Sequence, residues 1–362
     1  MKENSDQILP IIGAAAAGLL LTPTQPLLGG SLLFAVAAWG IKYRREHSKL
    51  SGVFRNCGLV NRDEQVLQLR EKKRIDGGVM YRYSLPPGFC VDDVVKHQDA
   101  IEGHLGKTVS ITKLIKDAVI EVYDDDLEQY QYEPSDVLEI GRGRGGKIIT
   151  VDFDRYPHLL IAGETGSGKS TSLRALIVSM ILQGYKLHGI DLKGGAELGI
   201  FRNHPAMVNF ARTAKDAERV IGLFAEEIDR RYDLFFEQGV TNVKSTNLDQ
   251  QVLIIDEFAE LCDSPAMKPL KSICARGRAC GCNAIICTQR PSSTVITGDI
   301  KANMTNVIGL KTLDDVNSRV VINKSGLERL RGHGHGIFKC GGEYTEFQAP
   351  WLSEERAKEL IA

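Results

Sequence analysis

Residues 136–362 of this 362-residue chain predict an α/β fold with a mostly parallel sheet, preceded by a small α+β domain and an N-terminal helical hairpin. Three observations carry that reading. From His158 onward, short apolar runs of strand length alternate with helical patterns, the signature of a parallel sheet with crossover helices. The first of these runs leads into Gly163-Glu164-Thr165-Gly166-Ser167-Gly168-Lys169-Ser170, a glycine loop of the form G-x-x-x-x-G-K-[ST]. A later run, Val252-Leu253-Ile254-Ile255, stops at two adjacent carboxylates, Asp256 and Glu257.

Length allows about two or three domains. The net charge is −1, which argues against a histone-like binder but leaves room for a protein that touches a polyanion over a small surface. Eight cysteines are scattered too widely for a disulfide scaffold. Those from Cys274 to Cys287 lack paired C-x-x-C spacing, so reduced, partly buried thiols are expected in preference to a zinc site.

In chain order, residues 8–21 and 27–41 are two uncharged apolar runs joined by Thr22-Pro23-Thr24-Gln25-Pro26, a turn by composition. Each is short against the roughly 20 residues of a typical spanning helix, yet each reaches across a thinned bilayer once turn residues are included. Lys42, Arg44, Arg45 and Lys49 follow, opposed by Glu46 alone, and basic flanks stay in the cytoplasm. The reading is a membrane hairpin with both ends inside, over residues 1–49. A signal peptide fits less well, because Lys2 is countered by Glu3 and Asp6 and a second apolar run follows. A buried helical hairpin is the other alternative, disfavoured by the lack of a polar face.

Residues 50–135 are mixed in composition and read as the small α+β domain. Met80 to Leu85 alternates like a strand, residues 91–105 have helical periodicity, and Ala118 to Tyr123 reads as another strand. Asp124-Asp125-Asp126 is read as a solvated turn. The glycine- and arginine-rich stretch 141–147, lying between Val137-Leu138-Glu139-Ile140 and Ile148-Ile149-Thr150-Val151, is read as a hairpin.

In residues 136–362, strand, glycine loop and helix follow one another as a phosphate-binding loop of ATP and GTP hydrolases requires. The expected nucleotide ligands are Gly163, Glu164, Thr165, Gly166, Ser167, Gly168, Lys169, Ser170 and Thr171. The glycines let backbone N–H groups turn toward phosphate oxygens at a helix N-terminus. Lys169 reaches the β- and γ-phosphates, and the Ser170 hydroxyl ligates Mg²⁺. Strands follow at Lys186 to Asp191 and at Val252 to Glu257, with an amphipathic helix at Ala214–Gln238 between them. Carboxylates at the C-terminal end of a parallel strand face the ligand crevice. There Asp256 is placed to hold Mg²⁺ through water, and Glu257 to orient and deprotonate an attacking water. The strand Asn283 to Thr288 ends at Gln289, a polar group placed to contact the γ-phosphate or that water. Asn306–Leu310 is a further strand, and Gly332-His333-Gly334-His335-Gly336 is read as a glycine turn rather than a metal site.

With these segments in this order, the chain resembles the FtsK/SpoIIIE family of DNA translocases from about Pro157 to its end. Pro157-His158-Leu159-Leu160-Ile161-Ala162-Gly163 and Asp256-Glu257-Phe258-Ala259-Glu260-Leu261 match that family's nucleotide motifs. Thr288-Gln289-Arg290-Pro291-Ser292, continuing through Val295 to Asn303, is the most diagnostic segment. Tyr83 to Tyr123 looks like the small β-α-β domain that precedes the family's motor. The resemblance implies a P-loop NTPase (RecA-like) motor, a homo-hexameric ring that draws DNA through its centre while hydrolysing ATP. It also implies an arginine finger at Arg278, with Arg276 the close competitor, and DNA contacts at Arg290, Lys301 and Arg319.

Two departures shape the expectation. Asp315 falls where the family often has a basic residue. The chain ends at Ala362, with no winged-helix domain after the motor. The compact plan looks like the membrane-anchored coupling ATPases of Gram-positive conjugative elements, with relaxase and conjugative channel proteins as implied partners. A chromosome or plasmid segregation translocase and a protein-secretion ATPase are the alternatives.

Overall fold

The computed structural model describes residues 50–362 apart from Asp76, Ile115 and Asp125. The apolar hairpin expected at residues 8–41 lies outside the described residues. Among the described residues no helix is long and apolar enough to cross a membrane. The chain divides into two compact units, with the boundary between Asp126 and Leu127.

The first unit has a four-stranded antiparallel sheet in the order β1-β2-β4-β3, formed by β1 (Gln68–Ile75), β2 (Gly78–Ser84), β3 (Thr108–Leu114) and β4 (Asp117–Tyr123). Helices α1 (Val91–Val95) and α2 (Gln98–Leu105) lie between β2 and β3 in sequence. The sequence reads 91–105 as one helix, but the chain breaks at Lys96 and His97. The apolar spacing of Val91, Val94 and Ile101 continues through the break, so periodicity alone does not detect it. All three join one buried cluster with Phe54, Tyr83 and Ile120.

The second unit carries a ten-stranded sheet in the order β6-β5-β14-β13-β12-β7-β11-β10-β8-β9. Its parallel part is β7 (His158–Ala162), β8 (Lys186–Asp191), β9 (Met207–Ala211), β10 (Gln251–Asp256), β11 (Cys282–Thr288) and β12 (Asn306–Leu310). The antiparallel extension is β13 (His335–Cys340), β14 (Glu343–Gln348), β5 (Glu139–Gly143) and β6 (Ile148–Thr150). The glycine-rich stretch before β6 is the expected hairpin, with Gly145 and Gly146 at φ 69° and 73°.

Strand alternation divides the core. Leu160, Leu253, Ile255, Ala284 and Ile286 face one layer, with α4 (Ala214–Gln238), α5 (Met267–Cys280), α6 (Gly298–Asn303) and α7 (Asp315–Ile322). Leu159, Ile161, Val252, Ile254 and Ile285 face the other, with α3 (Lys169–Leu182) and α8 (Glu354–Leu360). Helix α3 has ten buried residues, so it is held in the core rather than lying on it.

The boundary lies nine residues before the expected one at 135/136. The segment from Leu127 packs on the second unit: Tyr132 is buried and shares a 2.8 Å hydrogen bond with Ser179, and Tyr130 donates to Glu139 at 2.7 Å. Backbone bonds tie Tyr130 and Tyr132 to Trp351. An extended strap held by single residues has no periodicity for the sequence to display.

All eight cysteines are free, and Cys274, Cys280, Cys282 and Cys287 are buried on α5 and β11. Burial pushes the thiols of Cys274 and Cys282 up to about 12, so they are poor nucleophiles.

Candidate active site

The C-terminal ends of β7, β8, β10 and β11 are neighbours in the sheet, and each delivers one part of the site. After β7 the chain turns through Gly166 and Gly168, at φ 81° and 100°, and enters α3 at Lys169. A side chain at Gly168 is excluded, because a Cβ there would meet the Gly334 backbone nitrogen at 2.2 Å. The Gly334 N–H donates to the Ser167 carbonyl at 2.8 Å, and the His333 N–H to that of Gly166 at 3.3 Å. The turn between the short 3₁₀ turn Leu327–Arg329 and β13 therefore clasps the glycine loop from behind.

Lys169 is buried and forms an ion pair with the fully buried Asp256 at the end of β10. Burial alone would lower the Lys169 ammonium; the carboxylate beside it outweighs that, and the net direction is upward. Asp256 Oδ2 is buried without a hydrogen-bond partner. The Ser170 hydroxyl donates to Glu197 at 2.6 Å. These hard oxygen donors, one of them an orphaned buried carboxylate oxygen, fit Mg²⁺.

Glu257 has a left-handed backbone, φ 60° and ψ 66°, unusual for a residue other than glycine. This turns its carboxylate toward β11. There it accepts from the Thr288 hydroxyl at 3.1 Å and the Gln289 N–H at 3.3 Å, and pairs with Lys193 at 2.9 Å. Burial would raise its carboxyl, but Lys193 and these donors hold it below the ordinary glutamate value. The Thr165 hydroxyl donates to the Gln289 side chain at 3.3 Å, so Gln289 bridges the glycine loop and Glu257.

The structure thus brings together Glu164, Thr165, Gly166, Gly168, Lys169, Ser170, Thr171 and Gln289 around one cavity of about 410 Å³. Gly163 and Ser167 lie in the loop beneath it, and Asp256 and Glu257 join it through Lys169 and Gln289. The sequence reading missed several contributors. Lys193 and Glu197 sit in the turn after β8, whose Asp191 carboxylate accepts from the N–H groups of Lys193, Glu197 and Leu198. The rule that ligands bind beyond the carboxyl ends of parallel strands would have flagged that turn. Gln129 and Trp351 also line the cavity, brought there by the strap, and no local pattern announces them.

Arg278 does not join the cavity. It lies in the last turn of α5, which leads through Gly281 into the start of β11, and its Nε donates to the Asp154 carbonyl at 3.1 Å. Since Ala284 of β11 pairs with His158, this is the opposite end of β7 from the glycine loop. Five strand residues, roughly 16 Å, separate the two ends. Within one subunit Arg278 does not reach the phosphate site. Arg276 pairs with Asp229 at 2.7 Å and covers the Tyr232 ring.

The expected DNA contacts are dispersed. Arg290 is exposed, 3.7 Å from Glu260. Lys301 on α6 donates to Asn323, the left-handed cap of α7, at 3.4 Å. Arg319 is neutralised on its own helix by Asp315 at 2.5 Å.

A buried lysine on a glycine loop at the head of a core helix, with two carboxylates ending the strand two places away, defines a P-loop nucleotide-binding fold. The FtsK/SpoIIIE family model matches residues 121–253 of the chain. The DNA translocase FtsK of Clostridium acetobutylicum is 31% identical over 338 residues, covering 83% of this chain and 43% of that relative. The DNA translocase FtsK of Caldanaerobacter subterraneus subsp. tengcongensis is 36% identical over 243 residues, covering 62% and 34%. The chain therefore spans between a third and a half of the length of these curated relatives.

Among solved structures, the pCW3 conjugation coupling protein TcpA, in a monomer form with ATPgS, aligns with a TM-score of 0.62 at 24% identity. That alignment covers 87% of this chain and 98% of TcpA. The cytoplasmic domain of the Thermomonospora curvata type VII secretion ATPase EccC aligns at 0.55 and 21% identity, over 66% of this chain and 33% of that one. At these identities the likeness is one of fold.

Replacing Lys169 tests the ion pair and the phosphate ligand separately. Lys169→Ala is expected to lower ATP affinity at least tenfold and, by stranding a buried carboxylate, to cost about 3–5 kcal/mol of stability. Lys169→Ala combined with Asp256→Asn regains stability but not affinity. Urea unfolding and nucleotide titration of both variants separate the two effects.

Proposed function

We propose that this chain is an ATP-driven DNA translocase that couples hydrolysis at the glycine-loop site to DNA movement. One observation carries the reading: Lys169, Asp256, Glu257 and Gln289 meet at adjacent strand ends, as in-line attack on a γ-phosphate requires. ATP is the substrate. The loop N–H groups and Lys169 hold the β- and γ-phosphates, Glu257 orients and deprotonates water, and Gln289 reports the γ-phosphate to the segment that begins at Arg290. Ser170 and, through water, Asp256 would hold Mg²⁺, which would supply neutralisation of phosphate charge.

The finer reading is a coupling protein that moves DNA during conjugative transfer, anchored in the cell membrane by the apolar hairpin at residues 8–41 with its motor in the cytoplasm. The likeness to TcpA along nearly the whole of that structure supports it. Relaxase and conjugative channel proteins are its proposed partners, and chromosome or plasmid segregation shares the same chemistry. A protein-secretion motor is the second reading. It is favoured by the surface formed by the loop after β12 and the start of α7, where Leu313 and Val316 are 79% and 60% exposed and Asp315 cancels Arg319. That surface offers a polypeptide more than it offers a phosphate backbone.

DNA-dependence decides between them. ATP turnover of the full chain is expected to rise when duplex or single-stranded DNA is added. Glu257→Gln should bind ATP normally and lose turnover by about 10²–10⁴-fold. Turnover indifferent to every DNA would reject the translocase, and wild-type turnover in Glu257→Gln would remove Glu257 from its role.

We further propose a homo-hexameric ring in which Arg278 acts on the neighbouring subunit's nucleotide, since its own lies at the far end of β7. Mixing Lys169→Ala subunits with Arg278→Ala subunits should restore more hydrolysis than the sum of the two alone, once subunit exchange is shown by pull-down. Exchange without such a gain rejects Arg278 as the trans donor and makes Arg276 the next to test.

For the membrane anchor, tags at both ends of the full chain are expected to be exposed to the cytoplasm and not outside. A tag exposed on the outer side at the N-terminus rejects the hairpin.

A further inference from the structure

Three lysines that the nucleotide site does not use converge on one face of the antiparallel extension. Lys339 of β13 lies directly opposite Tyr344 of β14, so the two side chains share a face of the sheet. The Lys324 ammonium stands 3.9 Å from the centroid of the Tyr344 ring. The ring is fixed, because the Tyr344 hydroxyl donates to the Ile322 carbonyl at 2.9 Å. Lys301 comes from α6 and donates to Asn323, the residue before Lys324, at 3.4 Å.

Among the described residues, none of the three forms an ion pair. The carboxylate along the same face, Glu346, already pairs with His335 at 2.7 Å and Arg144 at 2.8 Å. Burial, and then the charge of Lys339, push the Lys301 ammonium below the ordinary lysine value; burial does the same to Lys339. Glu346 offsets part of the charge of Lys324, whereas Lys301 and Lys339 repel each other, and a polyanion relieves that repulsion.

We propose that Lys301, Lys324 and Lys339 form a landing site for the phosphate backbone of nucleic acid, with Tyr344 as its rigid floor. The inference rests on the translocase reading and adds Lys324 and Lys339, which no nucleotide or pore motif contains. The ammonium groups come from three separate elements and suit successive phosphates along a strand. Backbone N–H groups converging on one point, as a single bound anion needs, are not what this face offers. Contacts of this kind position DNA without reading its sequence.

The test measures binding of the full chain to fluorescent duplex and single-stranded oligonucleotides over a range of salt concentration. Each neutralised phosphate contributes about 0.9 to the slope of log K against log salt on duplex DNA and about 0.7 on single strands. Lys324→Gln and Lys339→Gln should each lower the slope by about one contact, and the double variant by about two. Lys324→Arg and Lys339→Arg, which keep the charge, should retain the wild-type slope. Unchanged slopes in the Gln variants of a chain that binds DNA overturn the site and leave the translocase reading standing. A wild-type chain that binds no DNA overturns both. Variants that lose binding to phosphatidylserine vesicles while keeping their DNA slopes overturn the site in favour of a lipid surface.

Discussion

The buried ion pair between Lys169 and Asp256 is the constraint around which the second unit is arranged. Two charges removed from water are stable only when paired, and removing either partner strands the other. The pair joins the first turn of α3 to the end of β10, two strands away from β7 with β11 between. It therefore sets the distance between the glycine loop and the strand that carries Glu257. The flanking apolar strands make this possible, since β7, β10 and β11 are buried on both faces and hold their ends in register.

Two backbone features complete the arrangement. Glu257 adopts a left-handed conformation that costs about 1–3 kcal/mol in a residue with a side chain. Its carboxylate is held across the gap by Lys193, Thr288 and the Gln289 N–H, which offset that strain. On the other side, Gly168 and Gly334 approach so closely that neither the loop nor its clasp tolerates a Cβ at Gly168. The antiparallel extension is thereby bonded to the phosphate-binding loop itself, through Ser167 and Gly166.

Electrostatically the unit is divided by the length of its strands. Carboxylates and the buried lysine cluster at the C-terminal ends of β7, β8 and β10. Arg278 and Lys244 gather near Asp154, at the opposite end. A chain with a net charge of −1 therefore still presents strongly local fields. The three lysines around Tyr344 are a further example, and their charge is invisible in any average over the chain.

Much of this was legible in the residues. His158–Ala162, Lys186–Asp191, Ala214–Gln238 and Asn306–Leu310 have the bounds their patterns predict, because apolar runs and capped amphipathic helices are local. The glycine loop was found by its G-x-x-x-x-G-K-[ST] form, and Asp256, Glu257 and Gln289 by their places at strand ends that face the crevice. Strands β1, β3, β9 and β14 and helices α5, α6, α7 and α8 went unread, since mixed or half-exposed segments carry a weak period. The sequence by itself thus determined the chemistry of the nucleotide site and the class of sheet that holds it. Tertiary structure alone decided that Lys193 and Glu197 face Glu257 and Ser170, that residues 127–135 strap onto the second unit, and that Arg278 stands at the far end of β7. Each of these depends on which strand lies beside which, and strand order is set by contacts between residues far apart in the chain, which no local pattern records.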